Sequence, residues 1–420
     1  MKTTKLKHLR LVLAATAVFL LLSVLPALAA VEGLVCSASP CNYDLTAKTD
    51  YISVADGGSI FMWGFANGTG MMQYPGPTMI VPENATVNIA LTNELPVPVS
   101  ILFPGQTVSA ITGGVPGLLT SEAMPGTKVT YTLSNVTPGT YLYHSGTRPE
   151  LEVEMGLIGA LIVRSATAGQ AYDDAVTAFD HEYLFLLSEV DSSIHDLVVA
   201  GKIDKVNNTD ARPKYWFING RAAPDTMAPS YSQGGTWLPT QPYNAMPMMY
   251  PTETILLRLL GGGRASHPFH HHGNHALAVA REGRLLGAGA AQGELLFTQT
   301  VTPGKTTDAT FTWSGENLGW DYFGVGHGAA YPWETDHDVP IPVQIPDYKD
   351  LTIGPFWSGT PYMGVAGDLP PGTGGFNPHS GFFFMWHSHA EIEITNFDIF
   401  PGGMLTMMVV EPPGVDLMNP

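Results

Sequence analysis

The sequence predicts an all-β fold of two sandwiches, the second carrying a long loop insertion. Three observations carry this expectation. Gly and Pro number 46 and 34 in 420 residues, and prolines at that density interrupt helices. Short runs rich in Thr, Val, Tyr and Ile recur between turn residues, the composition that strands prefer. These runs fall into two blocks divided by a polar stretch. Apolar residues make up 45% of the chain and charged ones only 13%, which excludes a disordered polyelectrolyte.

Residues 1–30 are expected to form no part of the fold. MKTTKLKHLR is basic, LVLAATAVFLLLSVLP is continuously apolar, and Ala27-Leu28-Ala29 is a small-x-small cleavage site. Together they read as a secretory signal peptide, without the Arg-Arg pair of folded-protein export. The chain is therefore expected in a periplasm, at a cell surface or outside the cell. No other apolar run is long enough to span a bilayer. Without the leader, 15 Lys and Arg face 37 Asp and Glu, a net charge of −22. Such a surface repels phosphate backbones and excludes nucleic acid as a partner, but suits cations.

Cys36 and Cys41 enclose SASP near the start of the remaining chain. In an oxidising compartment they are expected to pair as a small disulfide loop, a pair of thiolate metal ligands being the alternative. No C-x-x-C-H occurs, which excludes covalently attached haem, and no phosphate loop points to a nucleotide.

The first domain is expected over 31–166. Its strands are TVNIALTN, KVTYTLSN, TYLYH and LIGALIV, each five to eight residues long and either alternating or continuously apolar. SATAGQAYDDA then reads as a linker. The second domain, 167–420, holds HEYLFLLSEV, ETILLRLL, ELLFTQTV and TTDATFTW. Its segment from about 325 to 380 is dense in Gly, Pro, Trp, Tyr and Phe and reads as an ordered loop insertion.

Fourteen histidines are present, and their placement is uneven. HPFHHHGNH contains His267, His270, His271, His272 and His275; WHSH contains His387 and His389; YLYHSG contains His144. Residues i and i+2 of a strand share a face, so His270/His272 and His387/His389 can each aim two imidazoles at one point. Imidazole is the commonest ligand for copper and zinc, and solvated or hydrogen-bonded histidines are the alternative. His271 and His275 fall off the H-x-H register and are expected at the surface or behind the ligands. His327, His337 and His379 lie in the insertion and could cover the site.

Four ordered landmarks resemble the multicopper oxidases, the laccase-like superfamily of cupredoxin-like Greek-key sandwiches. PGPTMIVPENATVNIALTNELPVPVSI resembles the first strands of their first domain, and YLYHSG with MGLIGALIV resembles its end. RLLGGGRASHPFHHHGNH resembles their third copper motif; HSH followed by PGGM resembles the fourth. The short spacing between the second and third landmarks implies the two-domain form, whose relatives commonly assemble as homotrimers.

Taken residue by residue, the resemblance implies a degenerate copper set. SILFPG stands where the family has SIHWHG, so Leu102 and Pro104 replace two histidines. His144 is kept, but Gly146 replaces its partner. His270, His272, His387 and His389 match ligands of the trinuclear cluster, and the resemblance pairs His144 with His389 and His272 with His387. His267 matches a type-1 copper ligand, whereas Ser388 takes the place of the type-1 cysteine and Glu393 that of the second type-1 histidine. Met404 follows about six residues late for the axial methionine. A serine hydroxyl cannot replace the thiolate that makes a blue-copper electron acceptor, so laccase activity is not expected. The metal set expected to remain is His144, His270, His272, His387 and His389, holding copper, or else zinc or another divalent ion, between the domains.

Glu150, Glu152 and Glu154 alternate and are expected on one solvated face of a strand; the alternative is that Glu152 or Glu154 supplies protons or a carboxylate ligand. Glu391 and Glu393 repeat the pattern beside the expected metal and could support its ligands. Methionines at Met71-Met72, Met246, Met248-Met249 and Met407-Met408 are expected to fill cores. The sequence thus favours an exported metal-binding protein, with oxidoreduction as its reaction if it is an enzyme. A structural or interaction module of the cell envelope or extracellular matrix, and a copper store or chaperone, are the alternatives.

Overall fold

The computed structural model describes residues 31–230, 238–287, 293–314, 382–411 and 417. The expected signal peptide and the expected insertion at about 325–380, with His327, His337 and His379, lie outside them. Two sandwiches of mixed sheets make up the described chain.

The first sandwich packs a four-stranded sheet on a six-stranded one. The smaller sheet runs in the order Leu34–Val35, Gly76–Pro82, Ile158–Arg164, Gly139–His144. The larger contains Cys41–Ser53, which pairs antiparallel with Ser59–Asn67 and parallel with Val87–Asn93. Val87–Asn93 shows the burial alternation its sequence predicts, with Val87, Ile89 and Leu91 inside. Trp63, Phe65, Tyr131 and Tyr143 fill the space between the sheets. Cys36 and Cys41 are disulfide-bonded.

In the second sandwich, His181–Val190 and Thr254–Gly261 pair in parallel at the centre of a seven-stranded sheet. Both read as nearly unbroken apolar runs because both faces are covered. The opposing five-stranded sheet runs Met248–Met249, Leu405–Val410, Phe382–Ser388, His267–His271, Thr298–Val301. Phe185, Phe269, Phe311 and Trp386 pack between these sheets. Met246, Met248, Met249, Met407 and Met408 are buried among apolar side chains, and so is Met72.

A separate apolar cluster joins the sandwiches, bringing Leu142, Ile158 and Ile162 of the first against Leu184, Leu186, Phe217 and Leu260 of the second. SATAGQAYDDA is not a loose linker. Ala171, Tyr172 and Thr177 are buried, and the Tyr172 hydroxyl donates to Asp308 at 2.6 Å.

Two sequence expectations are corrected by local chemistry. Glu150–Glu154 is not a strand: Pro149–Glu152 forms a helical turn, and Glu152 and Glu154 are buried rather than displayed on one face. Proline at the first helical position with acids in the first turn favours that start. Likewise Glu391–Ile394 is a 3-10 turn, which leaves Glu391 exposed and turns Glu393 inward.

Candidate metal centre

The His267–His271 and Phe382–Ser388 strands are antiparallel neighbours, with His270 directly opposite His387. Pairing continues past both strand ends, where His272 N–H donates to the Met385 carbonyl at 3.3 Å and His389 N–H to that of Pro268 at 2.8 Å. This register brings both H-x-H pairs to one face. Ring centroids of His270 lie 4.9 Å from His272, 5.6 Å from His387 and 4.9 Å from His389. His387 lies 5.3 Å from both His272 and His389, and the Nε2 atoms of His272 and His387 are 3.3 Å apart.

Three of these rings are held through Nδ1. His270 pairs with Thr298 Oγ1 at 2.9 Å, His387 with the Ser388 carbonyl at 2.8 Å, and His389 with Glu391 Oε1 at 3.1 Å. An Nδ1–H donated to an oxygen leaves the Nε2 lone pair for a metal, as ligating histidines commonly arrange. Burial and the neighbouring imidazoles push His272 down to about 4 and lower His270. His387 is lowered as well, chiefly by burial. Neutral rings are the ligating form. As the side chains stand, no three His, Cys, Asp or Glu among the described residues are set around a common point for an ion. The four-imidazole donor set suits copper or zinc.

His144 is not among the rings in mutual contact. It ends the Gly139–His144 strand in the first sandwich, bridges to Leu102, and pairs through Nδ1 with the Ser145 carbonyl at 2.9 Å. Burial lowers its pKa, and no other histidine contributes. Beside it, Leu102 fills the space next to Gly146: a Cβ on Gly146 would stand 2.6 Å from Leu102 Cγ.

His271 corrects another expectation. It is 2% exposed, pointing into the core edge-on to Trp386 and Phe269, at 4.8 and 5.3 Å. Alternation sends 270 and 272 to one face and 271 to the other, and burial pushes its pKa down to about 3. His275 is exposed.

His267, Ser388 and Glu393 meet on the core side of the same strands. Glu393 Oε2 accepts from Ser388 Oγ at 2.5 Å and from His267 Nδ1 at 2.9 Å. His267 Nε2 reaches Glu189 Oε2 at 3.0 Å, while Glu189 Oε1 accepts the backbone N–H groups of Arg264 and Ala265 at 2.5 and 2.9 Å. Burial opposes the imidazolium, but the hydrogen bonds and charges of Glu189 and Glu393 prevail and lift His267 to about 9. Glu189 escaped the sequence reading, although an acid near the end of the apolar run HEYLFLLSEV was a signal that it had a buried partner.

Glu154 is held by an arginine and a backbone amide. Its carboxylate meets Arg264 Nη2 at 2.7 Å and the Asp191 N–H at 2.8 Å. Glu152 pairs with Ser145 Oγ, and burial lifts its carboxyl to about 7.

Residues 62–168 match the family described as multicopper oxidase. Over that segment the chain is similar to the multicopper oxidases. It is 31% identical over 125 residues to copper resistance protein A of Escherichia coli, covering 30% of this chain and 19% of that protein. It is 27% identical over 197 residues to the multicopper oxidase VdtB of Byssochlamys spectabilis, covering 44% and 27%. The chain thus matches about a quarter or less of the length of these curated relatives. Two solved structures share its architecture. The blue copper oxidase of Nitrosomonas europaea superposes with a TM-score of 0.58 at 19% identity, covering 87% of this chain and 85% of that one. The multicopper oxidase mgLAC gives 0.59 at 19% identity, covering 89% and 86%. These likenesses confirm the cupredoxin-like multicopper oxidase fold.

Proposed function

We propose that this is an exported copper-binding protein of two domains, 31–166 and 167–420, that has lost the type-1 site and keeps a reduced histidine centre. The observation that carries the reading is the convergence of His270, His272, His387 and His389, three of them with Nδ1 already engaged. Two Nε2 ligands of one tetrahedral ion, with bonds of about 2.0–2.1 Å, stand about 3.3 Å apart. The 3.3 Å between the Nε2 atoms of His272 and His387 already meets that spacing. Copper held there would supply a redox-active Lewis acid. The chain's own part is to orient the rings through Thr298, Ser388 and Glu391 and to keep them neutral. Four-electron laccase chemistry is not proposed, because His267, Ser388 and Glu393 offer no thiolate.

His144 completes the centre from a second copy. It sits in the other sandwich, and exposed apolar side chains flank both halves: Leu118 and Leu119 near Leu102, and Phe297 near His270. A homotrimer closing these surfaces against one another places the metal between the domains of neighbouring subunits.

Metal content per chain, measured by mass spectrometry on protein taken from the exported fraction, tests the reading. About one copper per chain is expected, lost in the His272→Ala/His389→Ala double variant with the β circular-dichroism spectrum retained. Copper content unchanged in that variant would overturn the centre. Sedimentation velocity is expected to show a trimer, and a monomer at the same concentration would overturn the assembly.

A further inference from the structure

The buried Glu189–His267–Glu393–Ser388 network shares two strands with the candidate centre. His267 opens one strand and Ser388 closes the other. Their side chains lie in the core, while those of His270, His387 and His389 project from the opposite face of the same backbone. Glu393 joins the two strand ends through one oxygen, Oε2, which takes both the Ser388 hydroxyl and His267 Nδ1. Ser388 is also the residue between His387 and His389. Its backbone carbonyl holds the His387 ring, and its Oγ accepts the Ala390 N–H at 3.2 Å, which sets the turn after His389. Main-chain bonds lock the reach from behind: Met404 N–H donates to the Glu393 carbonyl at 2.7 Å, and Ser388 N–H to that of Met404 at 3.0 Å.

We infer that Glu393 is a positioning residue for the four-histidine centre, acting through Ser388 and His267 rather than as a ligand. Its carboxylate fixes where the strand bearing His387 ends relative to the strand bearing His270, and so fixes the spacing of His389 from His270. Glu189 completes the clamp by holding His267 Nε2, so the imidazole cannot turn away from Glu393. This inference rests on the proposed centre; what it adds is the mechanism that keeps that centre assembled. Groups that orient ligating side chains typically change metal affinity about 10- to 100-fold when removed.

The test is Cu2+ titration of the full chain, followed by electron paramagnetic resonance, for wild type, Glu393→Ala, Glu393→Gln and Ser388→Ala. Ring 1H–15N correlations of His387 and His389 are recorded in parallel without metal. Glutamine keeps an oxygen that can accept from both Ser388 and His267 but drops the charge. Glu393→Gln is therefore expected to hold affinity within about threefold, with the wild-type Cu2+ spectrum. Glu393→Ala and Ser388→Ala are expected to lose about tenfold, alter the Cu2+ hyperfine pattern and shift the metal-free ring resonances. If Glu393→Ala does not fold, Ser388→Ala gives the same readout with a smaller cavity. An alanine variant matching wild type in affinity, spectrum and ring shifts would overturn the inference. A glutamine variant failing as alanine does would also overturn it, by making the charge or direct ligation the operative property. Absence of Cu2+ binding in wild type would instead reject the proposed centre, and the ring resonances would then decide the positioning role alone.

Discussion

His267 shows how a single residue can reverse its ordinary chemistry. A buried imidazole is normally driven neutral, as His271 is, edge-on between Trp386 and Phe269. His267 is equally buried but lies between two carboxylates, and it is lifted to about 9. Its folded pKa exceeds the unfolded one of about 6.5, so the folded state binds the extra proton. The stabilisation is complete below pH 6.5 and is lost as the pH rises through about 9. Glu152 and Glu411, each lifted to about 7, slope in the same direction, but they are half titrated at pH 7 and nearly fully titrated by pH 8. Between pH 7 and 9 the unfolding free energy of wild type is therefore expected to fall, and that of His267→Gln to fall less and to level off above pH 8. Urea melts at pH 7, 8 and 9 measure both; parallel slopes in the two proteins would refute the buried imidazolium.

At the scale of elements, most of the strands were legible because period-2 alternation and continuous apolar runs are dictated by burial on one face or two. The H-x-H pairs were legible for the same reason. What spacing could not supply was register: only the pairing of His270 with His387 puts the two strands' histidines on one face rather than opposite ones. The misread element, Glu150–Glu154, shows the converse. Acids spaced by two fit a strand, yet Pro149 starts a helical turn that buries Glu152 against Ser145. Ser388 and Glu393 could be placed by resemblance, but their joining through one carboxylate oxygen depends on the 391–394 turn, which spacing does not reveal.

Leu102 and Gly146 are likewise one feature of paired segments. The isolated bridge between Leu102 and His144 lays the Leu102 side chain where a residue larger than glycine would collide with it. Gly146→His alone is expected to cost about 1–3 kcal/mol by overpacking. The Leu102→Ala/Gly146→His double variant should recover most of that cost, a non-additivity that a denaturation cycle measures. Additive costs would mean that the two positions do not share their space.

Across the whole molecule, the seam between the sandwiches governs how the halves of the proposed centre are presented. Its apolar part is continuous from Ile162 and Leu142 to Leu184 and Leu260. Its polar part centres on Arg258, 1% exposed, whose Nε and Nη2 meet Glu182 Oε2 at 2.9 and 2.8 Å while Nη1 donates to Thr140 Oγ1 at 2.8 Å. Thr140 belongs to the strand that ends in His144, and with Tyr172 it donates to Asp308. A seam both apolar and hydrogen-bonded couples the sandwiches energetically, so wild-type chain without metal is expected to unfold in one transition, with calorimetric and van't Hoff enthalpies equal. Arg258→Met would leave Glu182 facing only Arg164, itself partly exposed, and Asp308 without a cation. Removing one partner of a buried ion pair costs about 3–5 kcal/mol. That loss falls on the seam rather than on either core, so scanning calorimetry of Arg258→Met should resolve two transitions where wild type shows one. Two transitions already present in wild type would mean that the sandwiches are independent, and that the seam does not fix His144 relative to the four histidines of its own chain.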